Sequence, residues 1–164
     1  MKILDSKQIQ QKIIRIAIEI LEKNFKEKEI ILAGVNKNGM GFAKKLHKEL
    51  STRSSINFEF CQIQLNPADP VSSPITLSMS DKELKGKTII IIDDVANTGR
   101  TIFYAFKPFL EILPKKVELA VLIDRKHKSF PVRPDYVGLS LATTAKENID
   151  VQILNSKKME VQLV

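Results

Sequence analysis

The sequence predicts an α/β domain whose sheet is mostly parallel. The segments at residues 29–35 and 87–94 each contain a short uninterrupted run of apolar, largely β-branched residues, which is typical of strands buried on both faces of a sheet. Between these runs, apolar residues recur at helical spacing. Strands that alternate with helices favour a parallel sheet flanked by helices. The chain has 164 residues without repeats or a linker, so we expect one domain over residues 1–164.

The first helix is predicted over residues 5–24, with Asp5 or Ser6 as its N-cap. Its apolar residues form two adjacent stripes, the first of Ile9, Ile13, Ile16 and Ile20 and the second of Ile14, Ile18, Leu21 and Phe25. Together they cover more surface than one sheet face needs. The second stripe therefore predicts a subunit contact, and we expect a homodimer or a larger homo-oligomer.

The remaining elements follow in chain order. The first half of the chain predicts a strand at 29–35, a turn at 36–41, a helix at 42–50 and a strand at 56–65. Residues 66–80, with three prolines and four serines, predict a long loop or flap. The second half predicts a strand at 87–94, a helix at 101–113 bent or ended near Pro108, and strands at 116–124 and 134–141. Residues 149–164 predict a terminal hairpin with Asn155 and Ser156 in its turn.

Composition narrows the class of partner and the compartment. The net charge of +7 favours anionic partners such as phosphates, nucleotides or RNA. Cys61 is the single cysteine and cannot form an internal disulfide, which fits the reducing cytoplasm. No apolar run approaches the roughly 20 residues of a membrane helix, and the first residues lack the apolar segment of a signal peptide. These features predict a cytoplasmic protein that does not bind membranes.

The segment IIIIDDVANTGRT, residues 89–101, is the most informative stretch of the chain. Its strand ends in Asp93 and Asp94, and ligands of open α/β sheets bind beyond the carboxyl ends of the strands. The two carboxylates repel each other, and burying them unpaired would cost on the order of several kcal/mol. The two hydroxyls of a ribose, or the water shell of Mg²⁺, supply the donors that they need.

The next six residues, ANTGRT at 96–101, lie where a helix begins. Backbone N–H groups and the helix dipole attract an anion there, and Gly99 allows a close approach. Thr98 and Thr101 add hydroxyl donors, and Arg100 adds charge. The whole string therefore predicts a ribose 5-phosphate site, with a plain strand, polar cap and turn as the alternative. The glycine-containing turn GVNKNGMG at 34–41 lacks the Gly-Lys-[ST] ending of a P-loop, and the acidic pair lies too late in the chain for a phospho-acceptor receiver domain.

The string closely resembles the phosphoribosyl pyrophosphate (PRPP) signature of type I phosphoribosyltransferases. Residues 4–24, 31–46 and 119–138 resemble, in order, segments of the bifunctional pyrimidine-operon regulators with uracil phosphoribosyltransferase activity. The resemblance implies a type I phosphoribosyltransferase-like fold with a flap and a C-terminal hairpin. It also implies a transfer of ribose 5-phosphate from PRPP to a nucleobase, a pyrimidine such as uracil, with Mg²⁺ as the cofactor.

The resemblance assigns roles to residues of this chain. Asp93 and Asp94 are the catalytic pair, which holds the ribose hydroxyls and, through water, the metal ion. The PRPP-binding loop consists of Ala96, Asn97, Thr98, Gly99, Arg100 and Thr101. The pyrophosphate loop consists of Lys37, Asn38 and Gly39, and the residues near the base are Arg125, Tyr136, Val137 and Gly138.

Two departures from the family pattern concern the leaving pyrophosphate. The family's pyrophosphate loop has Thr-Arg-Gly where this chain has Lys37, Asn38 and Gly39, and lysine lacks the bidentate fork of arginine. The family's flap carries a Tyr-Arg-Asp-Asp-like stretch. Here no Lys or Arg occurs between Arg53 and Lys82, although the chain has 26 such residues. The PRPP cradle is complete, whereas its cover lacks cations.

Three functions compete. The primary prediction is an enzyme, a phosphoribosyltransferase; the alternative is a PRPP- or nucleotide-sensing regulatory RNA-binding protein with weak or no catalysis. The complete cradle argues against a third, an interaction protein that kept only the fold, while the cation-free flap favours the regulator. A basic patch for RNA phosphates is predicted, with a solvated loop as the alternative, from Lys126, His127, Lys128 and Arg133.

Overall fold

The computed structural model describes all residues from 1 to 164. The strands are β1 (Lys2–Leu4), β2 (Glu29–Val35), β3 (Asn57–Gln64), β4 (Thr76–Leu77), β5 (Thr88–Ala96), β6 (Lys116–Arg125), β7 (Tyr136–Leu141), β8 (Ile149–Gln152) and β9 (Glu160–Leu163). The helices are α1 (Ser6–Lys23), α2 (Asn36–Arg53), α3 (Asp81–Leu84) and α4 (Arg100–Ala105), with a 3-10 helix at Lys107–Glu111. Strands and helices alternate along most of the chain, so the predicted α/β class is confirmed.

The main sheet has six strands in the order β4-β3-β2-β5-β6-β7. All neighbours are parallel except β3 and β4. The central strand β5 lies between β2 and β6, and its run from Ile89 to Ile92 is fully buried. Side chains of a strand alternate between the two faces, so a run that is apolar throughout is needed where both faces are covered. The prediction of a mostly parallel sheet with a buried central strand is confirmed.

Helix α1 follows the sequence prediction closely. Asp5 is its N-cap and accepts a hydrogen bond of 2.8 Å from the backbone N–H of Gln8, whose side chain completes a capping box. The first apolar stripe, at Ile9, Ile13, Ile16 and Ile20, is fully buried against the sheet. In the second stripe, Ile18 remains 41% exposed and Phe25 72% exposed. The face predicted to contact another subunit is therefore uncovered within one chain.

Helix α2 corrects one prediction, because the turn expected at residues 36–41 is the first part of this helix. The chain reverses direction at Asn36, which takes a φ of 53°, in the left-handed region that asparagine tolerates. The helix then starts directly against the sheet. A Cβ at Gly39 would lie 2.5 Å from the carbonyl oxygen of Ile92, so only glycine allows this approach of α2 to β5.

The helix predicted over residues 101–113 is interrupted, as its proline indicated. Helix α4 ends at Ala105 and a 3-10 helix with Pro108 in its first turn continues the path. Proline has no N–H to donate and its ring clashes with the preceding turn, which ends an α-helix.

The C-terminal hairpin is confirmed, with β8 and β9 antiparallel and Asn155 in the connection. The sequence did not predict β1, which pairs with β9 and makes a small three-stranded sheet in the order β1-β9-β8. It also missed the four-residue helix α3 and the short β4, which pairs with β3 inside the predicted flap. No helix combines the length and the apolar character needed to cross a membrane.

Candidate functional site

A pocket of about 500 Å³ opens beyond the carboxyl ends of the central strands, and we call it the strand-end pocket. Its walls are the end of β5, the start of α2, Pro67 of the predicted flap, and β8. The residues that line it are Val35, Asn36, Lys37, Asn38, Pro67, Asp93, Asp94, Val95, Asn97, Thr101, Ile149, Asp150 and Val151. The ends of parallel strands meet at one edge of a sheet, which is why segments distant in sequence converge here.

The two carboxylates differ in their surroundings. Asp93 is buried, with 7% of its surface exposed. Burial, and secondly the negative charge of Asp94, raise the pKa of Asp93 well above its ordinary value. Asp94 is half-buried and accepts hydrogen bonds of 2.8 Å from the side chain of Asn38 and 2.9 Å from the N–H of Val95. Neither carboxylate forms a salt bridge, so the pair retains negative charge that a ligand with donors can balance.

The loop that follows β5 encloses a small cavity of about 50 Å³ beside the strand-end pocket, lined by residues 95–102. Gly99 takes a φ of 86°, which any other residue would find strained, and so turns the chain into α4. The charged group of the adjacent Arg100 is directed towards the flap and not into this cavity. The guanidinium donates 2.7 Å to the carbonyl oxygen of Pro67 and so connects the loop to the base of the flap.

The predicted pyrophosphate loop faces the carboxylates across the pocket. Asn38 donates to Asp94 as described, and Lys37 is exposed at the pocket rim. Gly39 is buried under the loop, where its missing side chain lets α2 approach β5. The structure therefore brings Lys37, Asn38, Asp93 and Asp94 together with the loop after β5.

The residues predicted to contact a base are not brought to this pocket. Tyr136 is fully buried behind the sheet, where its hydroxyl donates 2.9 Å to Glu118 and accepts 3.1 Å from Asn24. Burial and the adjacent Glu118 carboxylate raise the pKa of Tyr136. The side chain of Tyr136 is therefore held by Asn24 and Glu118, and a base contact through the backbone of this segment stays a prediction.

The base contacts predicted for Val137, Gly138 and Arg125 also stay predictions, and the polar groups of these residues have partners within the chain. The carbonyl oxygens of Val137 and Gly138 accept hydrogen bonds from Arg15, at 3.1 Å and 2.5 Å, along the outer edge of β7. Arg125 is buried, and its guanidinium donates to Thr143 and, at 2.6 Å, to the carbonyl oxygen of Thr144. None of these residues lines the strand-end pocket.

Sequence reasoning missed the wall formed by β8. Ile149, Asp150 and Val151 line the pocket. The hairpin that contains β8 was predicted, but no sequence signal indicates which part of the main sheet a terminal hairpin will cover. Asp150 adds a third carboxylate to the pocket walls.

The predicted RNA-contacting residues divide into two sets. Lys126, His127 and Arg133 are exposed. Lys128 folds back instead, with its ammonium 2.6 Å from Asp124 and 3.3 Å from the carbonyl oxygen of Ala96. An ammonium with these partners is less available to a phosphate than a free one, so only three of the four residues present free cationic or neutral donors.

A family model of the phosphoribosyl transferase domain matches residues 1–155. The chain therefore belongs to the phosphoribosyltransferase family, and the predicted class of protein is confirmed. Its sequence is similar to the bifunctional protein PyrR of Pediococcus pentosaceus, with 32% identity over 172 residues that cover 99% of this chain and 97% of the relative. The pyrimidine operon regulatory protein of Lactococcus lactis is 33% identical over 154 residues, covering 93% of this chain and 89% of that protein.

Solved structures agree on the fold. A hypoxanthine-guanine phosphoribosyltransferase from Bacillus anthracis gives a TM-score of 0.77 at 20% identity and covers 99% of this chain and 96% of its own. A hypoxanthine phosphoribosyl transferase from Trypanosoma cruzi gives 0.78 at 16% identity, covering 98% of this chain and 90% of its own. The type I phosphoribosyltransferase-like fold predicted from the sequence is confirmed.

Proposed function

We propose that this phosphoribosyltransferase binds PRPP in the strand-end pocket and transfers its ribose 5-phosphate to a pyrimidine such as uracil. The observation that carries the proposal is the meeting of three groups at one sheet edge. These groups are the carboxylates of Asp93 and Asp94, the loop at 95–102, and Lys37 with Asn38. They match the ribose hydroxyls, the 5′-phosphate and the pyrophosphate of PRPP, and the pyrimidine choice is supported by the relatives that regulate pyrimidine operons.

In the proposed transfer, the bond from the ribose C1′ to the pyrophosphate oxygen breaks and its electron pair leaves with pyrophosphate. A ring nitrogen of the base forms the new bond to C1′ and gives up its proton to solvent. The ribose gains positive charge in the transition state, as in glycoside hydrolysis, and Asp93 and Asp94 supply negative charge on that side. Lys37 is the one Lys or Arg that lines the pocket, and it would face the negative charge that grows on pyrophosphate.

Mg²⁺ fits this site only as an ion shared with the ligand. No group of three or more His, Cys, Asp or Glu residues is arranged to hold a metal ion. The charge of Asp93 and Asp94 and their hard oxygen atoms suit the water shell of an Mg²⁺ bound to PRPP phosphates. Such an ion would neutralise charge on the leaving pyrophosphate. We propose that the base lies against β8, since Ile149 and Val151 provide the apolar wall.

Calorimetric titration with PRPP in the presence of Mg²⁺ tests the site. Asp93→Asn combined with Asp94→Asn should weaken PRPP binding by at least tenfold, the loss expected for charge-assisted hydrogen bonds of about 1.5–3 kcal/mol. Lys107→Gln is a control, because this exposed side chain lies outside the pocket. Equal affinity of the double variant and the wild type would show that PRPP binds elsewhere.

A second candidate function, regulation through RNA with weak catalysis, is favoured by the absence of Lys and Arg between Arg53 and Lys82. We propose that Lys126, His127 and Arg133 would then contact RNA phosphates, so affinity should fall steeply with salt. Filter binding with a pyrimidine-operon leader and an unrelated RNA measures this. A strong preference for the leader that salt does not change would contradict electrostatic binding.

The proposed assembly is a homodimer or a larger homo-oligomer in which the exposed stripe of α1 forms a contact. Ile18 and Phe25 support it, because both are large apolar side chains left exposed by one chain. Sedimentation at micromolar concentration should give a species of at least twice 18.6 kDa. A monomer would overturn this part of the proposal. The lone buried Cys61 is consistent with activity in the reducing cytoplasm.

A further inference from the structure

A second and larger pocket lies on the other side of the start of α2. Its volume is about 730 Å³, and its walls are one face of α2 and the connection between β8 and β9. Four lysines line it, Lys37, Lys44, Lys45 and Lys48, and we call it the lysine pocket. Neither Asp93 nor Asp94 contributes to it, so it is separate from the strand-end pocket except for Lys37, which lines both.

The lysines converge because of helical spacing. Lys37, Gly41, Lys44 and Lys48 recur at intervals of four, three and four residues and so lie on one face of α2. Lys45 extends beside them, and its ammonium donates 2.8 Å to the hydroxyl of Ser156 in the hairpin connection. Four cations are thus gathered between two elements that the fold holds against each other.

The charge of the lysine pocket is not balanced by the protein. None of its four lysines forms a salt bridge. Glu49 is the only carboxylate on its walls, and it is already paired with Arg53 and accepts 2.9 Å from Gln10. Partial burial and the adjacent charge of Lys48 lower the pKa of Lys45. An anion of several charges would relieve the repulsion among these cations.

One wall of the lysine pocket is apolar. Ile153 is fully buried there and Met159 nearly so, whereas Leu154 remains 56% exposed at the rim. A Cβ at Gly41 would lie 2.5 Å from a terminal methyl of Leu154, so this leucine rests directly on the helix backbone. Clefts that combine a few convergent polar groups with an apolar wall are typical of small-molecule sites, and the volume lies in their usual range of roughly 300–1,000 Å³.

We propose that the lysine pocket binds a small molecule that carries two or more phosphate groups and an organic ring. The phosphates contact the lysines of α2, and the ring packs on Leu154 and Met159. This assignment can be tested separately from PRPP binding, because Lys37 is the one residue that the two pockets share and neither the carboxylates nor the loop at 95–102 contributes to the lysine pocket.

A tryptophan reporter tests the proposal at the pocket itself. The chain contains no Trp, so Leu154→Trp introduces a single indole at the rim. Adding a nucleoside triphosphate without Mg²⁺ should change its fluorescence in a saturable manner. Inorganic triphosphate should bind more weakly and the nucleoside alone should not saturate. In Val71→Trp, a reporter on the exposed flap, the fluorescence should not change.

Replacing the lysines should shift the midpoint of this titration. In the Leu154→Trp background, Lys44→Gln, Lys45→Gln and Lys48→Gln together should weaken binding by about tenfold or more, the scale of lost charge-assisted hydrogen bonds. The control, Lys28→Gln, Lys85→Gln and Lys107→Gln, changes the net charge equally at exposed sites elsewhere and should leave the midpoint unchanged. If the triple variant does not fold, Lys48→Gln is compared with Lys85→Gln.

Three results would overturn the inference. Equal loss in the lysine-pocket and control variants would mean that only the net charge attracts the anion. Equal affinity for inorganic and nucleoside triphosphate would show that the apolar wall does not contribute to binding. Saturation by single-stranded RNA but not by any triphosphate would assign the pocket to nucleic acid instead.

Discussion

The two sides of the strand-end pocket differ in how closely they resemble the family pattern. On the ribose side, Asp93 and Asp94 follow the fully buried run of β5 from Ile89 to Ile92, and Gly99 turns the chain into α4 beside the small cavity proposed to hold the 5′-phosphate. On the pyrophosphate side, the wall consists of Lys37 and Asn38 and of a flap at 66–80 without a single cation. The ribose side resembles the family pattern throughout, whereas the pyrophosphate side departs from it at each position where charge is expected.

This difference separates binding from catalysis. The charge on the 5′-phosphate hardly changes during the transfer, so contacts to it stabilise substrate and transition state alike and do not raise the rate. The charge on pyrophosphate grows as it leaves, and only partners on that side can stabilise the change. We therefore expect binding to be better preserved than turnover, and the four predictions below test that expectation from the largest effect to the smallest.

The largest expected effect is on the rate of nucleotide formation from PRPP and uracil. We expect it to be lower by a factor on the order of 100–1,000 than in relatives with Arg in the pyrophosphate loop, the usual loss for one transition-state donor. Asn38→Arg should recover part of the rate, and Asn38→Gln, which adds length without charge, should not. The assay follows nucleotide release with uracil, orotate, hypoxanthine, guanine and xanthine. Turnover near ~10 s⁻¹ with any of these bases would show that the cation-free side does not limit the rate.

Tyr136→Phe tests whether Tyr136, whose side chain is buried behind the sheet, contributes to ligand binding or only to stability. Removing the hydroxyl deletes its hydrogen bond to the Glu118 carboxylate and the one it accepts from Asn24, which should lower the free energy of unfolding by about 1–3 kcal/mol although Asn24 and Glu118 stay bonded to each other. The affinity for PRPP and for the base should stay the same. Chemical denaturation measures the first quantity and calorimetry the second. If the variant had normal stability but bound the base more weakly, the hydroxyl of Tyr136 would contribute to base binding.

Asp93→Asn should stabilise the protein without its ligand. The pKa of Asp93 is raised in the folded state, so its stabilising contribution is present below the unfolded pKa of about 3.9 and is lost as the pH rises through the folded value. At every pH above the unfolded pKa, folding therefore carries a penalty for burying this carboxyl group, and Asp93→Asn should add about 0.5–2 kcal/mol to the free energy of unfolding at neutral pH. The gain should vanish below about pH 4. Lower stability of the variant at neutral pH would mean that another group already balances this charge.

Arg100 gives the smallest effect and distinguishes a phosphate contact from a tether. Because its guanidinium donates to Pro67, Arg100→Gln should free the base of the flap, at a cost of about 0.5–1.5 kcal/mol for the lost hydrogen bond. Hydrogen exchange at the base of the flap should become faster. The affinity for PRPP should change by less than about threefold, because the guanidinium contacts the flap and not the cavity. A tenfold or larger loss of PRPP affinity with unchanged exchange would show that Arg100 contacts phosphate directly.

The sequence determined the features that depend on local pattern and spacing. The period of its apolar residues predicted helix α1, the buried strands and the terminal hairpin. The string from Ile89 to Thr101 located the strand end, its carboxylates and the loop after it. These features follow from the sequence because a helix cap, a left-handed glycine or a buried strand is decided by residues that are neighbours along the chain. The missing cations of the flap could also be counted directly.

Only the tertiary structure decided which distant segments meet. It placed β8 on the pocket and left Tyr136, Arg125 and Gly138 away from it, although the order of residues gave no sign of either. It turned Lys128 towards Asp124 and Arg100 towards the flap. It also brought the hairpin connection onto the lysines of α2, which the sequence presents as an ordinary charged helix face. Side-chain partners across the fold depend on how whole elements pack, because packing fixes positions that no local preference specifies.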